Sequence, residues 1–145
     1  MKVSSRVDYA LSCLVIIARE HASQKPVPVK FIAESEHLEV DYVEQLLIIM
    51  KRAGILKSVR GVKGGYLLAR SPEELTTYHV LAAFEGEILE LVCFRQKGRK
   101  SACIHLETCE MRNFWHGMQR VIEEYLKANS IASLLALRNR EKGKE

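Results

Sequence analysis

Proline and glycine are sparse, three and eight in 145 residues, so no long flexible or polyproline linker is expected. No apolar run approaches the roughly 18 residues of a membrane span, which excludes a membrane partner of that kind. The first residues, Met1-Lys2-Val3-Ser4-Ser5-Arg6, lack the apolar stretch and small-residue cleavage site of a secretory signal. A cytoplasmic protein with four reduced cysteines is therefore expected. The catalytic strings G-x-x-x-x-G-K-[ST], G-x-S-x-G and H-E-x-x-H do not occur, and an enzyme is not expected. Acid is absent from residues 45–72, which hold Lys51, Arg52, Lys57, Arg60, Lys63 and Arg70.

What is present is an ordinary globular balance, 48% apolar and 28% charged residues, enough for one real core. The net charge of +4 lies wholly in the first half. Residues 1–70 carry 11 basic and 7 acidic residues, and residues 71–145 carry 11 of each. A basic stripe of this kind suits phosphate neutralisation with counterion release, as well as a plain solvated surface.

Ser4 and Ser5 can cap a first helix, and Ser5-x-x-Asp8 has the spacing of a capping box. Val7, Leu11, Leu14, Val15 and Ala18 then share one face, and the helix is predicted to end near 20–23, before Pro26 and Pro28. Pro28–Glu34 reads as a short second helix with Phe31 and Ile32 as its apolar contacts. A third follows from Val40 to about Ala53, where Val43, Leu46, Leu47 and Met50 form a core stripe and Gly54 serves as the stop. Ile55–Val59 and Tyr66–Ala69 read as strands around a glycine-rich turn. Because no helix follows it, Gly61-x-x-Gly64-Gly65 is a hairpin turn and not a phosphate loop. Thr77 is expected to cap a helix to about Phe84. Residues 87–110 are loop-like, a long helix spans 110 to about 127, Ser130 or Ser133 starts a short last helix, and 139–145 is a charged tail expected to fray.

The fold class this predicts is mostly α with a small β-hairpin, a winged helix-turn-helix plus a long C-terminal dimerisation helix. The expected organisation is 1–86 for the DNA-binding unit, 87–110 for a cysteine-rich loop and 111–145 for the dimerisation helix and tail. Phe114, Met118, Val121, Ile122 and Tyr125 give that long helix more apolar surface than one small wing domain can cover, which favours a homodimer. Phosphate contacts are expected from Lys51, Arg52, Lys57 and Lys63, with Lys2, Ser4 and Ser5 assisting.

Three of the cysteines form the series Cys93-x9-Cys103-x5-Cys109. Clustered intracellular cysteines point to metal or redox chemistry more than to disulfides. Arg95, Lys97, Arg99 and Lys100 offset thiolate charge between the first two. Three cysteines leave a fourth position open, for which His105 and His116 are nearby candidates. On spacing alone four readings stay open: an iron–sulfur cluster, a zinc site of three cysteines with His105, a thiol–disulfide switch without metal, and three unrelated reduced cysteines. Cys13, between apolar neighbours in the first helix, reads as a core residue.

Taken together, Ser5-Arg6-Val7-Asp8-Tyr9-Ala10-Leu11, Tyr42-Val43-Glu44-Gln45-Leu46, the wing string from Ser58 to Leu68, Glu85-Gly86 and the cysteine triad resemble the IscR/NsrR-type (Rrf family) winged-helix transcription regulators of bacteria, many of which carry an iron–sulfur cluster. The resemblance implies a homodimer crossed through its long helices and a palindromic double-stranded operator. It also implies a 2Fe–2S or 4Fe–4S cluster held by Cys93, Cys103 and Cys109. It carries operator reading onto Asp41, Glu44 and Gln45 of the third helix and onto Arg60 of the wing. In that setting Gln45 suits adenine, and Asp41 or Glu44 suits cytosine N4. The first cysteine gap is longer than the family's usual one, and Arg112 stands where IscR-like members have a histidine ligand. NsrR-type members recruit an acidic residue near the start of the partner's first helix. Asp8 matches that position, so it is the first choice as fourth ligand and His105 the second. The function so implied is a cluster-sensing, sequence-specific regulator, expected to repress. The alternative is a zinc-stabilised or thiol-switched DNA-binding regulator.

Overall fold

The computed structural model describes residues 3–89, 103, 105 and 107–142, with side chains described through Leu137. Its elements run α1 (Ser5–Arg19), a 3-10 turn (His21–Ser23), α2 (Val29–Glu36), α3 (Val40–Arg52), β1 (Leu56–Val59), β2 (Gly65–Leu68), α4 (Thr77–Glu85), α5 (Glu110–Ala128) and α6 (Ile131–Lys142). Helix pair and hairpin follow one another as a winged helix-turn-helix requires.

The first helix is the hub. Val7, Ala10, Cys13, Leu14, Ile16, Ile17 and Ala18 are all buried, more than the single face expected from sequence, because α2, α3, α4, α6 and β2 all touch it. Its start lies at the first of the two serines expected to cap it, and the expected capping box is not formed. Ser4 is the N-cap and Ser5 the first helical residue, so Ser5-x-x-Asp8 is out of phase for a capping box. The Ser4 hydroxyl instead donates to the Glu85 carboxylate at the end of α4. The guanidinium of Arg6 lies 5.7 Å from the Phe84 ring centroid, a second tie between the same two ends.

On α2, Ile32 and Ala33 are buried, but Phe31 is 52% exposed and supplies no core contact as had been expected. One position on a 3.6-residue period separates it from Ile32, and that rotation turns it outward. The core stripe of α3 is as expected, with Val43, Leu46, Leu47 and Met50 buried. Truncating Leu46, Leu47 or Met50 to alanine would cost about 2–5 kcal/mol. Gly54, at φ +72°, ends the helix in the left-handed region that favours glycine.

The hairpin is antiparallel, Leu56 opposite Leu68 and Val59 opposite Gly65. Tyr66 and Leu68 face the core, whereas β1 is exposed beyond Leu56. Val27 adds a third pairing, exchanging both backbone hydrogen bonds with Tyr66 at 2.9 Å. Gly65 is required there, because a Cβ at this position would lie 2.2 Å from the Val27 carbonyl oxygen.

Thr76, not Thr77, is the N-cap of α4, and its N–H donates to His79 Nδ1 at 3.1 Å. Thr77 is the first helical residue and is buried. The chain returns at the end of α5. Ile131 is fully buried, its N–H donates to the Leu75 carbonyl, and Leu134 and Leu135 pack on the core. The last helix runs on to Lys142, into the segment expected to fray, through residues with good helix propensity.

Candidate nucleic-acid interface and cysteine site

On α3 the outward positions are Asp41, Glu44, Gln45, Lys51 and Arg52, all exposed. Asp41, Glu44, Gln45 and Arg52 fall on one side at helical spacing, opposite the core stripe. The wing stands beside the C-terminal end of this helix. The Lys51 ammonium donates to Ser58 Oγ at 2.6 Å and ties helix to strand. Sequence reasoning did not single out Ser58, since its pairing with Lys51 needs the hairpin folded back on the helix.

Lys57 lies on the outer face of β1, and Arg60 and Lys63 lie on the exposed turn. Among the described residues the ion pairs are Lys30–Glu34, Arg120–Glu124 and Lys127–Glu123, and none involves Arg52, Lys57, Arg60 or Lys63. Arg52 on the outer face of α3 and Lys57, Arg60 and Lys63 on the wing are thus outside every ion pair among the described residues. Of the assisting N-terminal residues, Ser5 is exposed, the hydroxyl proton of Ser4 is directed to Glu85, and Lys2 lies outside the described residues.

Tyr9 and Tyr42 meet edge to face at 6.1 Å between ring centroids, joining α1 to α3 on the same flank. The other residue that positions the wing is Val27. Its signal was local, since a residue between two prolines is biased to extended backbone.

The cysteine site is described in part. Cys93 lies outside the described residues. Cys109 is the N-cap of α5 and Cys103 lies six residues before it. Both are half-buried and neither is in a disulfide. His105 and His116 are exposed, and the His105 carbonyl accepts from the Thr108 N–H at 3.1 Å. Asp8 is exposed in the first turn of α1. Among the described residues of one chain, no three histidine, cysteine or acidic side chains come together as a metal-holding group. Cys13 stands apart, fully buried in α1, where burial pushes its thiol up to about 12. It is a core residue, as expected.

The long helix α5 has no buried residue. Met111, Phe114, Met118, Val121 and Tyr125 recur at alternating three- and four-residue steps, the spacing of a helix-pairing seam. Val121 is 62% and Tyr125 70% exposed. At its far end α5 is fastened to α4 by Thr77 Oγ1, which donates to the Leu126 carbonyl at 2.9 Å. No helix among the described residues is long and apolar enough to cross a membrane.

Residues 3–137 match the family described as Rrf2, iron-dependent transcriptional regulator. The regulator IscR of Aliivibrio salmonicida is 30% identical over 135 residues, covering 93% of this chain and 77% of that protein. CymR of Bacillus subtilis is 28% identical over 134 residues, covering 92% and 89%. Among solved structures, CymR of B. subtilis, described as its global cysteine regulator, superposes with a TM-score of 0.74 at 26% identity over 94% of this chain and 98% of that one. IscR of T. potens superposes with a TM-score of 0.73 at 28% identity over 100% and 92%.

Proposed function

The chain belongs to the Rrf2 family of DNA-binding transcriptional regulators, which are not enzymes, and from that premise we propose that it is a homodimeric, iron–sulfur-responsive regulator of palindromic operators. The observation that carries the DNA-reading half is the outer face of α3 together with four cations that form no ion pair among the described residues. Lys51, Arg52, Lys57 and Lys63 hold phosphates and set the register of the protein on the duplex. Ser5 and the N-terminal turn assist them. Gln45 reads adenine from the major groove, and Asp41 and Glu44 accept from cytosine N4 while disfavouring bases that offer only acceptors. Arg60 enters the minor groove from the wing. Two such heads, paired through the α5 seam, face successive half-sites.

The donor chemistry of Cys93, Cys103 and Cys109 suits an iron–sulfur cluster, for which three thiolates and one further ligand are needed. Asp8 of the partner subunit is the fourth ligand in this reading, with His105 as the second candidate. Such a cluster supplies a group whose gain, loss or oxidation is itself the signal. The residues of the chain do the rest. Cys109 anchors the site to the first turn of α5, and Asp8 belongs to the α1 hub that carries α3. Cluster ligation and the spacing of the two reading heads are then linked, and the coupling is reciprocal between cluster and operator.

A second reading rests on the likeness to CymR. There Cys103 and Cys109 act as thiols, and no cluster is needed to set operator affinity. Purification without oxygen, followed by iron, acid-labile sulfide and zinc analysis, separates the readings. Matched iron and sulfide support the cluster. Zinc alone makes the site structural, and neither metal nor sulfide in a folded, operator-binding dimer favours the thiol reading. A Cys103→Ala variant with wild-type operator affinity would remove cysteine-based sensing and leave DNA binding standing.

A further inference from the structure

Val62 is a fully exposed branched apolar residue at the tip of the wing, between the cations Arg60 and Lys63. We infer that Val62 is a specificity-determining contact in the DNA minor groove, where its isopropyl group packs on the groove walls and rejects the amino group that guanine presents there. The inference rests on the DNA-reading half of the proposed function and adds a residue and a base preference to it.

An isolated exposed valine needs no explanation in general. Here its setting does. The turn is closed by the Gly64 N–H donating to the Gly61 carbonyl at 2.9 Å. A Cβ on Gly64 would lie 2.3 Å from the Val59 carbonyl oxygen, so the loop is folded tightly on its own backbone. The tip is therefore thin, glycine on either side of the Val62–Lys63 pair, and it presents one aliphatic group on a preorganised turn. Ordering it on binding costs little. The minor groove is about 6 Å wide, which admits a backbone turn with one small side chain and not a helix. Lys63 matches the phosphates on one rim, and Arg60 enters the groove beside the valine. Val59, also partly exposed on the outer face of β1, continues the same apolar line. The link from Lys51 to Ser58 holds the wing beside α3, so the tip reaches DNA on the side from which α3 is presented.

A·T pairs leave the minor-groove floor without a protruding amino group, and G·C pairs place the guanine N2 amine on it. An apolar tip gives that amine no acceptor, so A·T-rich sequence under the wing is favoured. Burying the two methyl groups that distinguish valine from alanine predicts about a tenfold difference in affinity.

The test uses the full-length, anaerobically purified dimer and a duplex enriched from a random library by the wild-type protein. Binding is compared for wild type, Val62→Ala and Arg60→Ala. Each is measured on that duplex and on a copy with diaminopurine replacing adenine under the wing. Diaminopurine adds the minor-groove amine and leaves the major-groove edge unaltered. Wild type is expected to lose about tenfold on the diaminopurine duplex. Val62→Ala is expected to bind the natural duplex about tenfold more weakly, with an unchanged salt slope and no discrimination against diaminopurine. Arg60→Ala is expected to lower the salt slope by about one. Thermal melting of Val62→Ala at the wild-type temperature controls for folding, as suits so exposed a site. Wild-type affinity in Val62→Ala, or equal loss on diaminopurine in both proteins, overturns the inference and leaves the DNA reading intact. If the wild-type protein enriches no duplex, both fall. Val62-dependent binding to phosphatidylglycerol vesicles in that case would assign the tip to a membrane surface.

Discussion

Thr77 Oγ1 donates to the carbonyl of Leu126 at 2.9 Å, while the Thr77 N–H donates to the carbonyl of Asn129 at 3.0 Å. One buried residue at the start of α4 thus satisfies two carbonyls at the end of α5, where helical acceptors lack partners of their own. The long helix is held at its C-terminal end by this threonine and by the Ile131–Leu75 bond just beyond it.

Thr77→Val keeps the shape and removes the hydroxyl. It is expected to lower stability by about 1–2 kcal/mol, because the Leu126 carbonyl loses its partner in a partly buried place. Urea unfolding of the two proteins, with unchanged m-value, measures it. A difference under about 0.3 kcal/mol would show that water satisfies the carbonyl.

Gly65→Ala is expected to cost about 2 kcal/mol or more and to displace the wing, since the added Cβ collides with the backbone of Val27 and the φ of +154° disfavours any side chain. Reduced operator affinity should accompany it while α1 and α3 stay folded. Amide exchange at Val27 and Tyr66 is the direct readout, and unaltered protection there would show that the strand accommodates a Cβ.

His79 has its pKa lowered from 6.5, chiefly by burial and then by the positive charge of Arg70. Its Nδ1 accepts the Thr76 N–H, a role the neutral ring performs. With the folded pKa below the unfolded one, the unfolded chain binds the extra proton, and stability falls as pH drops below about 6.5. The contribution is complete above that value. Urea midpoints between pH 7.5 and 5.5 should fall less steeply in His79→Asn, which keeps an acceptor and cannot titrate. Parallel profiles would remove His79 as the source.

Val121→Glu places a charge in the middle of the exposed apolar row of α5, the face proposed to pair two chains. Sedimentation equilibrium is expected to show dimer for the wild type and monomer for the variant at micromolar concentration, with α4 and α6 still in place. A variant that stays dimeric moves the interface away from this face.

Where the signals were local, the sequence was easy to read. The α3 stripe rests on spacing within one helix, its stop on Gly54, and the wing on a glycine cluster between two short apolar runs. The cations of residues 51–63 stood out because no acid interrupts them. What misled was also local. Ser5-x-x-Asp8 has capping-box spacing, yet Ser4 takes the N-cap position, and its hydroxyl donates to Glu85, 81 residues away, instead of capping the helix. Phe31 has the hydropathy of a core residue and stays outside, since neighbouring Ile32 takes the inward position.

The sequence alone determined the order of the elements, the third helix with its exposed polar face and basic wing, and the trio of cysteines ahead of a long amphipathic helix. These follow from periodicity, capping and charge within a few residues of one another. Only the tertiary structure decided that α1 is buried on several sides, that Val27 pairs with the wing, that Thr77 stitches α4 to α5 and that α6 returns to the core. Each of these joins segments far apart in the chain, and their partners are chosen by how the finished surfaces fit and by which buried polar groups still need a bond.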